Sequence, residues 1–188
     1  MYSIELMVKE HENILKLIEI VKNACCQILD GGEVNTDDFE KMILFARNYA
    51  DKHHHGKEEL ILFSKMTEHL GAIAEKLVNF GMLVEHDLGR LHMSELETSL
   101  NNYKEDPKTI YKLGIIAGAT GYANLLTRHI DKENNAVFTY AERNLPSEVL
   151  ESVDKLVRDF EKEAEEKKVH ETYLGILEEL SKKYCPSK

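Results

Sequence analysis

Asp51-Lys52-His53-His54-His55-Gly56-Lys57-Glu58-Glu59 is the stretch that decides how the rest of the chain is read. Three adjacent histidines run into two glutamates. His54 and Glu58 are four residues apart, which on an α-helix puts both side chains on one face, about one turn apart. His55 and Glu59 form a second such pair, rotated from the first by about 100°. Imidazole and carboxylate together on a helix face make half of a site for iron, zinc or manganese.

The other half lies 75 residues further on: His54 and Glu58 become His129 and Glu133, His11 becomes His86, Glu10 becomes Glu85 and Phe63 becomes Phe138. In a chain with 9 histidines and 34 acidic residues a single HxxxE carries little information, but a whole constellation repeating in one register carries a great deal. The spacing also predicts the architecture. His11 and His54 are 43 residues apart, as are His86 and His129. The midpoints fall at Gly32-Glu33, at Pro107 and, between His54 and His86, at Leu70 beside Gly71, and each is a turn signal. Residues equidistant from the turns of an up-down bundle lie at one depth. The fold expected is therefore all-α, an up-down four-helix bundle with the four histidines in one interior layer, where bundles build metal sites.

Composition agrees. The 188 residues are 43% hydrophobic, enough for one sizeable core. A net charge of −10 argues against nucleic acid and against an anionic membrane surface as partners. No apolar run approaches the roughly 20 residues that span a bilayer, and Met1-Tyr2-Ser3-Ile4-Glu5 lacks the features of a secretion signal. The expected location is the cytoplasm. Cys25, Cys26 and Cys185 make no disulfide framework and are read as incidental thiols.

Apolar residues at helical spacing place the first helix over 2–30, with His11 on its stripe, and the second over about 37–65 behind Asn35-Thr36 as cap. The third runs over about 79–104. The fourth runs from Asp106-Pro107, as cap and first position, to about 143. Residues 1–143 form the bundle. Residues 144–188 form an extension, read as one additional C-terminal helix from Pro146 to about 184, packing on the bundle or against a second copy of the chain. The run Glu161-Lys162-Glu163-Ala164-Glu165-Glu166-Lys167-Lys168 is expected to be solvated. Gly56 could ease packing around a metal. The small residues of Gly114-Ile115-Ile116-Ala117-Gly118-Ala119-Thr120-Gly121 allow either close helix packing or room for a ligand.

These motifs resemble the hemerythrin-like family, the HHE cation-binding domain. His54-His55-Gly56-Lys57-Glu58-Glu59-Leu60-Ile61-Leu62-Phe63 is similar to that family's second-helix signature and Glu85-His86-Asp87-Leu88-Gly89-Arg90 to its third. The resemblance implies a bundle holding two non-haem Fe ions bridged by carboxylates and open to an oxo bridge. It implies His11, His54, His86 and His129 as terminal ligands and Glu58 and Glu133 as bridging ones. The chain departs from the oxygen carriers at Arg90, where they have a fifth histidine on the third helix. His55 has no repeat partner, because its counterpart is Ile130, and it is the candidate for a seventh ligand. A place behind the ligands, or facing solvent, stays open for it. Glu59 is expected to orient a ligand histidine, Tyr49 and Tyr122 to be core aromatics, with hydrogen-bond donors or electron relays near the metals as the alternative, His53 to lie off the ligand face, and His69, His92 and His170 to be surface or packing residues.

Six donors do not saturate two irons, so a small diatomic or peroxide ligand is the expected partner. The first reading is uptake of O2, NO or peroxide for sensing, buffering or detoxification. The alternatives are an iron donor of the iron-sulfur-cluster repair type, whose cysteine-containing leader has no counterpart before His11, or a di-iron reductase of peroxide or NO. A structural zinc or manganese site is a third reading, without a matching HExxH or cysteine motif.

Overall fold

The computed structural model describes residues 1–186, and these form helices and short connections with no strand. Helix α1 spans Tyr2–Leu29 and buries Met7, Ile14, Leu17, Ile18 and Val21 on one face, with Glu10 and His11 inside that stripe. It stops where Gly31 takes a left-handed φ of 94° and the Gly32 N–H returns to the Gln27 carbonyl at 2.9 Å. Helix α2 starts behind Asn35, whose side chain accepts the Asp38 N–H at 3.1 Å. It runs through Thr36–Phe45 and two π-helical stretches, Ala46–His55 and Glu58–Phe63, to a kink at Gly71 (φ 64°, ψ −154°). Helix α3 continues from that kink through a π turn at Val78–Met82 into Leu83–Glu105. Helix α4 comprises Thr109–Lys132, a π turn at Glu133–Val137 and Phe138–Asn144. It begins later than Asp106-Pro107, because Lys108 is still extended there (φ −86°, ψ 150°).

Pairs across the helices set the order. Glu10–His54 and Asn13–Tyr49 join α1 to α2; Lys104–Glu40, Arg47–Glu97 and Asp51–Arg90 join α2 to α3. Glu85–His129 and Tyr103–Lys112 join α3 to α4, and His11–Asn134 and Met1–Glu142 close α4 onto α1. One number rises as the other falls in every set, so neighbours are antiparallel and the bundle is up-down, as the turn midpoints predict. Two apolar clusters bracket a polar layer. One lies around Ile14, Phe45, Leu96 and Ile115, the other around Met7, Phe63, Met82 and Phe138.

The small residues of α4 serve close packing. A Cβ on Gly118 would stand 2.9 Å from the Leu96 backbone nitrogen, and Gly114 and Gly121 face Ser99 and the His92 ring as tightly.

The C-terminal extension corrects the single helix expected to about 184. Two helices are present, α5 (Ser147–Glu166) and α6 (Val169–Tyr184), separated at Lys168, which is left-handed at φ 54°. The stripe of Val153, Val157 and Ala164 runs out at Glu165-Glu166-Lys167-Lys168, where no apolar side chain continues it. A new stripe of Leu177, Leu180 and Tyr184 then packs on α1 and α2 of the same chain. The Tyr184 hydroxyl donates to Asp38 at 2.6 Å and Asn23 donates to the Tyr184 carbonyl at 2.9 Å. One smaller expectation also fails: Glu161 leaves the solvated face of the charge run and turns inward. Gly56 faces Phe160 of α5, and a Cβ there would stand 3.5 Å from the Phe160 ring, an ordinary van der Waals distance. Among the described residues no helix is long and apolar enough to cross a membrane.

Candidate metal centre

The π-helical stretches explain how three consecutive histidines can all be buried. A regular turn would rotate one of them out of the core. A wider turn holds more residues, so neighbouring side chains diverge less. His53, His54 and His55 are each at most 4% exposed. Both glutamates of the repeat, Glu58 and Glu133, open a π turn, and both are fully buried.

The seven residues singled out from the sequence converge on one point. Donor atoms of His55, Glu58, His86 and His129 lie within 4.8 Å of one another, and so do those of His11, His54, Glu58 and Glu133. Glu58 belongs to both groups. Its Oε1 is 3.3 Å from His54 Nε2 and its Oε2 is 3.6 Å from His86 Nε2. Glu133 also stands between them, with Oε2 3.2 Å from both His11 Nε2 and His129 Nε2 and Oε1 3.8 Å from His86 Nε2. His55 stacks on His86 at 3.8 Å with its plane 7° away. His11 and Phe138 stack at 5.6 Å, and Phe63 lies 6.0 Å from His86, so apolar rings roof the layer on that side.

The outward nitrogen of every candidate ligand is held. His54 Nδ1 donates to Glu10 at 2.8 Å, His129 Nδ1 to Glu85 at 3.0 Å, His86 Nδ1 to Glu59 at 2.6 Å and His11 Nδ1 to the Asn134 side-chain carbonyl at 2.8 Å. His55 Nδ1 reaches Asp51 at 3.4 Å. In the neutral imidazole each bond fixes the tautomer whose Nε2 lone pair points inward. Most of those inward atoms make no hydrogen bond. Nε2 of His11, His54 and His55 and all four carboxylate oxygens of Glu58 and Glu133 are buried without a hydrogen-bond partner, while His86 and His129 point Nε2 at Nε2 across 3.1 Å. A buried polar atom left unpaired costs about 1–3 kcal/mol. So many at one point fit cations bound among them, and imidazole with carboxylate suits a transition metal.

In the metal-free protein these groups titrate abnormally. Burial opposes charge on His54, but Glu58 and Glu10 outweigh it and lift its pKa to about 10. Burial is likewise overcome at His86 by Glu133, Glu59 and Glu58, which raise it to about 9. Burial, joined by His86, His54, His129 and Arg90, holds His55 well below its ordinary value. Glu133 is lowered despite its burial, through His129, His11 and His86.

Several residues of the site are not ligand-type in the sequence reading. Arg90 bonds Asp51 at 2.7 Å and Glu59 at 2.6 Å, and so clamps the partners of His55 and His86 together. Lys57 bonds Glu10, and Lys132 bonds Glu85. The 75-residue offset relates Lys57 to Lys132 and Glu59 to Asn134, a part of the repeat visible only once these outer partners are known. Glu59 orients His86, while Tyr49 is a core ring accepting from Asn13 at 2.8 Å. Tyr122 lines a surface cavity of about 270 Å³ together with Asp51, Arg90 and Met93, and His55 and His86 form part of its wall.

A model of the hemerythrin HHE cation-binding domain matches residues 2–141. No curated protein and no solved structure matches the chain.

Proposed function

We propose, taking as premise that the chain belongs to the hemerythrin HHE cation-binding domain family, that it holds two non-haem irons and takes up O2, NO or peroxide for sensing, buffering or detoxification. His55, His86 and His129 would hold one iron and His11 and His54 the other, with Glu58 and Glu133 placed to serve both. Residues 1–143 carry the centre in this reading and residues 144–188 are accessory to it. The observation that carries it is the set of unpartnered Nε2 and carboxylate atoms facing one point in a buried layer. Five imidazoles and two shared carboxylates, without cysteine, suit iron better than the four-coordinate sites usual for zinc.

When bound, a pair of irons offers one electron from each metal to a small oxidant and positions not taken by the chain. The chain's own part is to fix and shield. Glu10, Glu59 and Glu85 hold the imidazoles in the ligating tautomer and raise their basicity. Phe63 and Phe138 keep water off one side. The cavity beside Tyr122 and Arg90 gives a molecule of a few atoms access to the His55–His86 edge.

The test is metal analysis of anaerobically prepared protein, with absorption spectra before and after air. The expected result is about two irons per chain and a near-ultraviolet band that appears in air and reverses under argon. Two irons that oxidise once and stay oxidised would move the assignment to an iron donor or a reductase. A single zinc would refute the di-iron reading.

A further inference from the structure

Helices α5 and α6 lie beyond the residues matched by the family model, yet a buried cluster ties them to the candidate metal centre. Lys57 is completely buried. Its ammonium bonds Glu10, bonds Glu161 Oε1 of α5 at 2.5 Å and lies 2.8 Å from His53 Nε2. His170 of α6 completes the group, 2.9 Å from Glu161 Oε2. Donor atoms of Glu10, His53, Glu161 and His170 lie within 4.8 Å of one another, a spacing that suits a cation. The chain supplies that cation itself, as Lys57 Nζ. The cluster is therefore an ion network, and one of its carboxylates, Glu10, is the acceptor for His54 Nδ1.

The repeat shows what has been added. In the second half Lys132 bonds Glu85, which accepts from His129, but Lys132 is 48% exposed and water shares its charge. Lys57 has no water to share with. A buried charge needs full pairing, and the second carboxylate comes from outside the repeat. Glu10 offers Oε2 to His54 and Oε1 to Lys57 and His53. With Glu161 in place, the lysine divides its charge between two carboxylates and Glu10 stays a strong acceptor for the imidazole. Without it, Lys57 would lean on Glu10 alone, and its three donors could turn toward the oxygen that holds His54.

We propose that Glu161 is a positioning residue of the metal centre, acting through Lys57 and Glu10 to fix His54, so that the C-terminal helix pair is a working part of the His11/His54 half-site. This rests on the reading that His54 holds a metal. The test is refilling of the metal-free chain with Co²⁺, and anaerobically with Fe²⁺, against a competing chelator. Four proteins are compared: the unsubstituted chain, Glu161→Gln, Lys57→Met and the double variant. Loss of an outer partner of a ligand costs about 10–100-fold in affinity, and one step further out the low end is expected. Glu161→Gln should therefore weaken one of the two binding steps by about tenfold, shift the Co²⁺ absorption of that step and leave the other step unchanged. In the Lys57→Met background the same substitution should add nothing, because Lys57 is the route.

Lys132→Met serves as the control that perturbs the other step. A Glu161→Gln protein with a lower metal-free melting temperature but both steps intact would reduce Glu161 to a packing role and overturn the proposal. Additive losses in the double variant would overturn it too. Unchanged binding in Glu161→Gln, beside two metals in the unsubstituted chain, would sink this inference alone. No metal in the unsubstituted chain would sink the site reading with it.

Discussion

His55→Leu should act in opposite directions on the metal-free and the metal-loaded protein. His55 is 4% exposed and stacked on His86 at 3.8 Å, and its Nε2 has no hydrogen-bond partner. Burial, and then the neighbouring imidazoles and Arg90, keep it neutral, so the substitution removes no charge. Leucine has a comparable volume and no polar atom to leave unpaired. Removing the orphaned nitrogen relieves about 1–3 kcal/mol, partly offset by the lost stacking and the 3.4 Å contact with Asp51. The metal-free protein should hold its melting temperature or gain, at roughly 2–4 °C per kcal/mol for a chain of this size. The loaded protein should lose. An outer partner of a metal ligand is worth about 10–100-fold in affinity, and a direct ligand should exceed that, a loss beyond about 2.7 kcal/mol for one metal of the pair. Calorimetric melting of chelator-treated and refilled protein, with metal analysis of each, reads both signs. A His55→Leu protein that binds two metals as tightly as the unsubstituted chain would refute the reasoning and return His55 to an outer role.

Acidity should separate the two states as well. The pKa values of His54 and His86, about 10 and about 9, lie above the ordinary 6.5, so their ion pairs with the buried glutamates stabilise the metal-free protein. That contribution is fully present below about pH 6.5 and is lost as pH rises through 9 to 10. Metal uptake must displace the same protons, so affinity should climb with pH up to that range, with roughly two protons released per chain near neutrality. Calorimetric titration in buffers of different ionisation enthalpy measures the number, and a value of zero would contradict it. At the α3–α4 contact, Gly118→Ala would put a Cβ 2.9 Å from the Leu96 backbone nitrogen and 3.0 Å from its Cα. Backbone cannot swing aside, so a loss of about 1–3 kcal/mol is expected, read as a lower melting temperature with metal stoichiometry retained; an unchanged melting temperature would show that the helices part easily there.

Much of this was legible because it is written in spacing. The 75-residue offset and the turn signals at its midpoints locate four helices and bring His11, His54, His86 and His129 to one layer. What spacing alone conceals is local and chemical. A π turn has no propensity signature, so nothing in His53-His54-His55 announces that all three turn inward. Lysine is almost never fully buried, so Lys57 reads as surface until Glu10 and Glu161 are seen on either side of it. Glu161 reads as part of a charge run, although its place four residues after Val157 and three before Ala164 puts it on the buried stripe of α5. Arg90 registers in sequence as a missing histidine, whereas in the fold it is the clamp on Asp51 and Glu59.

Two departures from the repeat load the same half of the centre. Ile130 stands where a second His55 would be, so the third imidazole belongs to the His86/His129 side alone. Asn134 stands where a second Glu59 would be, so His86 leans on a carboxylate that Arg90 braces, while His11 leans on a neutral amide. A carboxylate partner makes the ligating imidazole more basic than an amide does. On the proposed ligand set, one metal therefore has more donors and stronger ones. The other has fewer donors, and one of its two histidines, His54, depends on Glu10. It is there, on the weaker half, that the chain brings in Glu161 from outside the repeat. On this ligand set a bundle built from two similar halves would hold two unequal sites, and the cavity beside Tyr122 opens on the one with more donors.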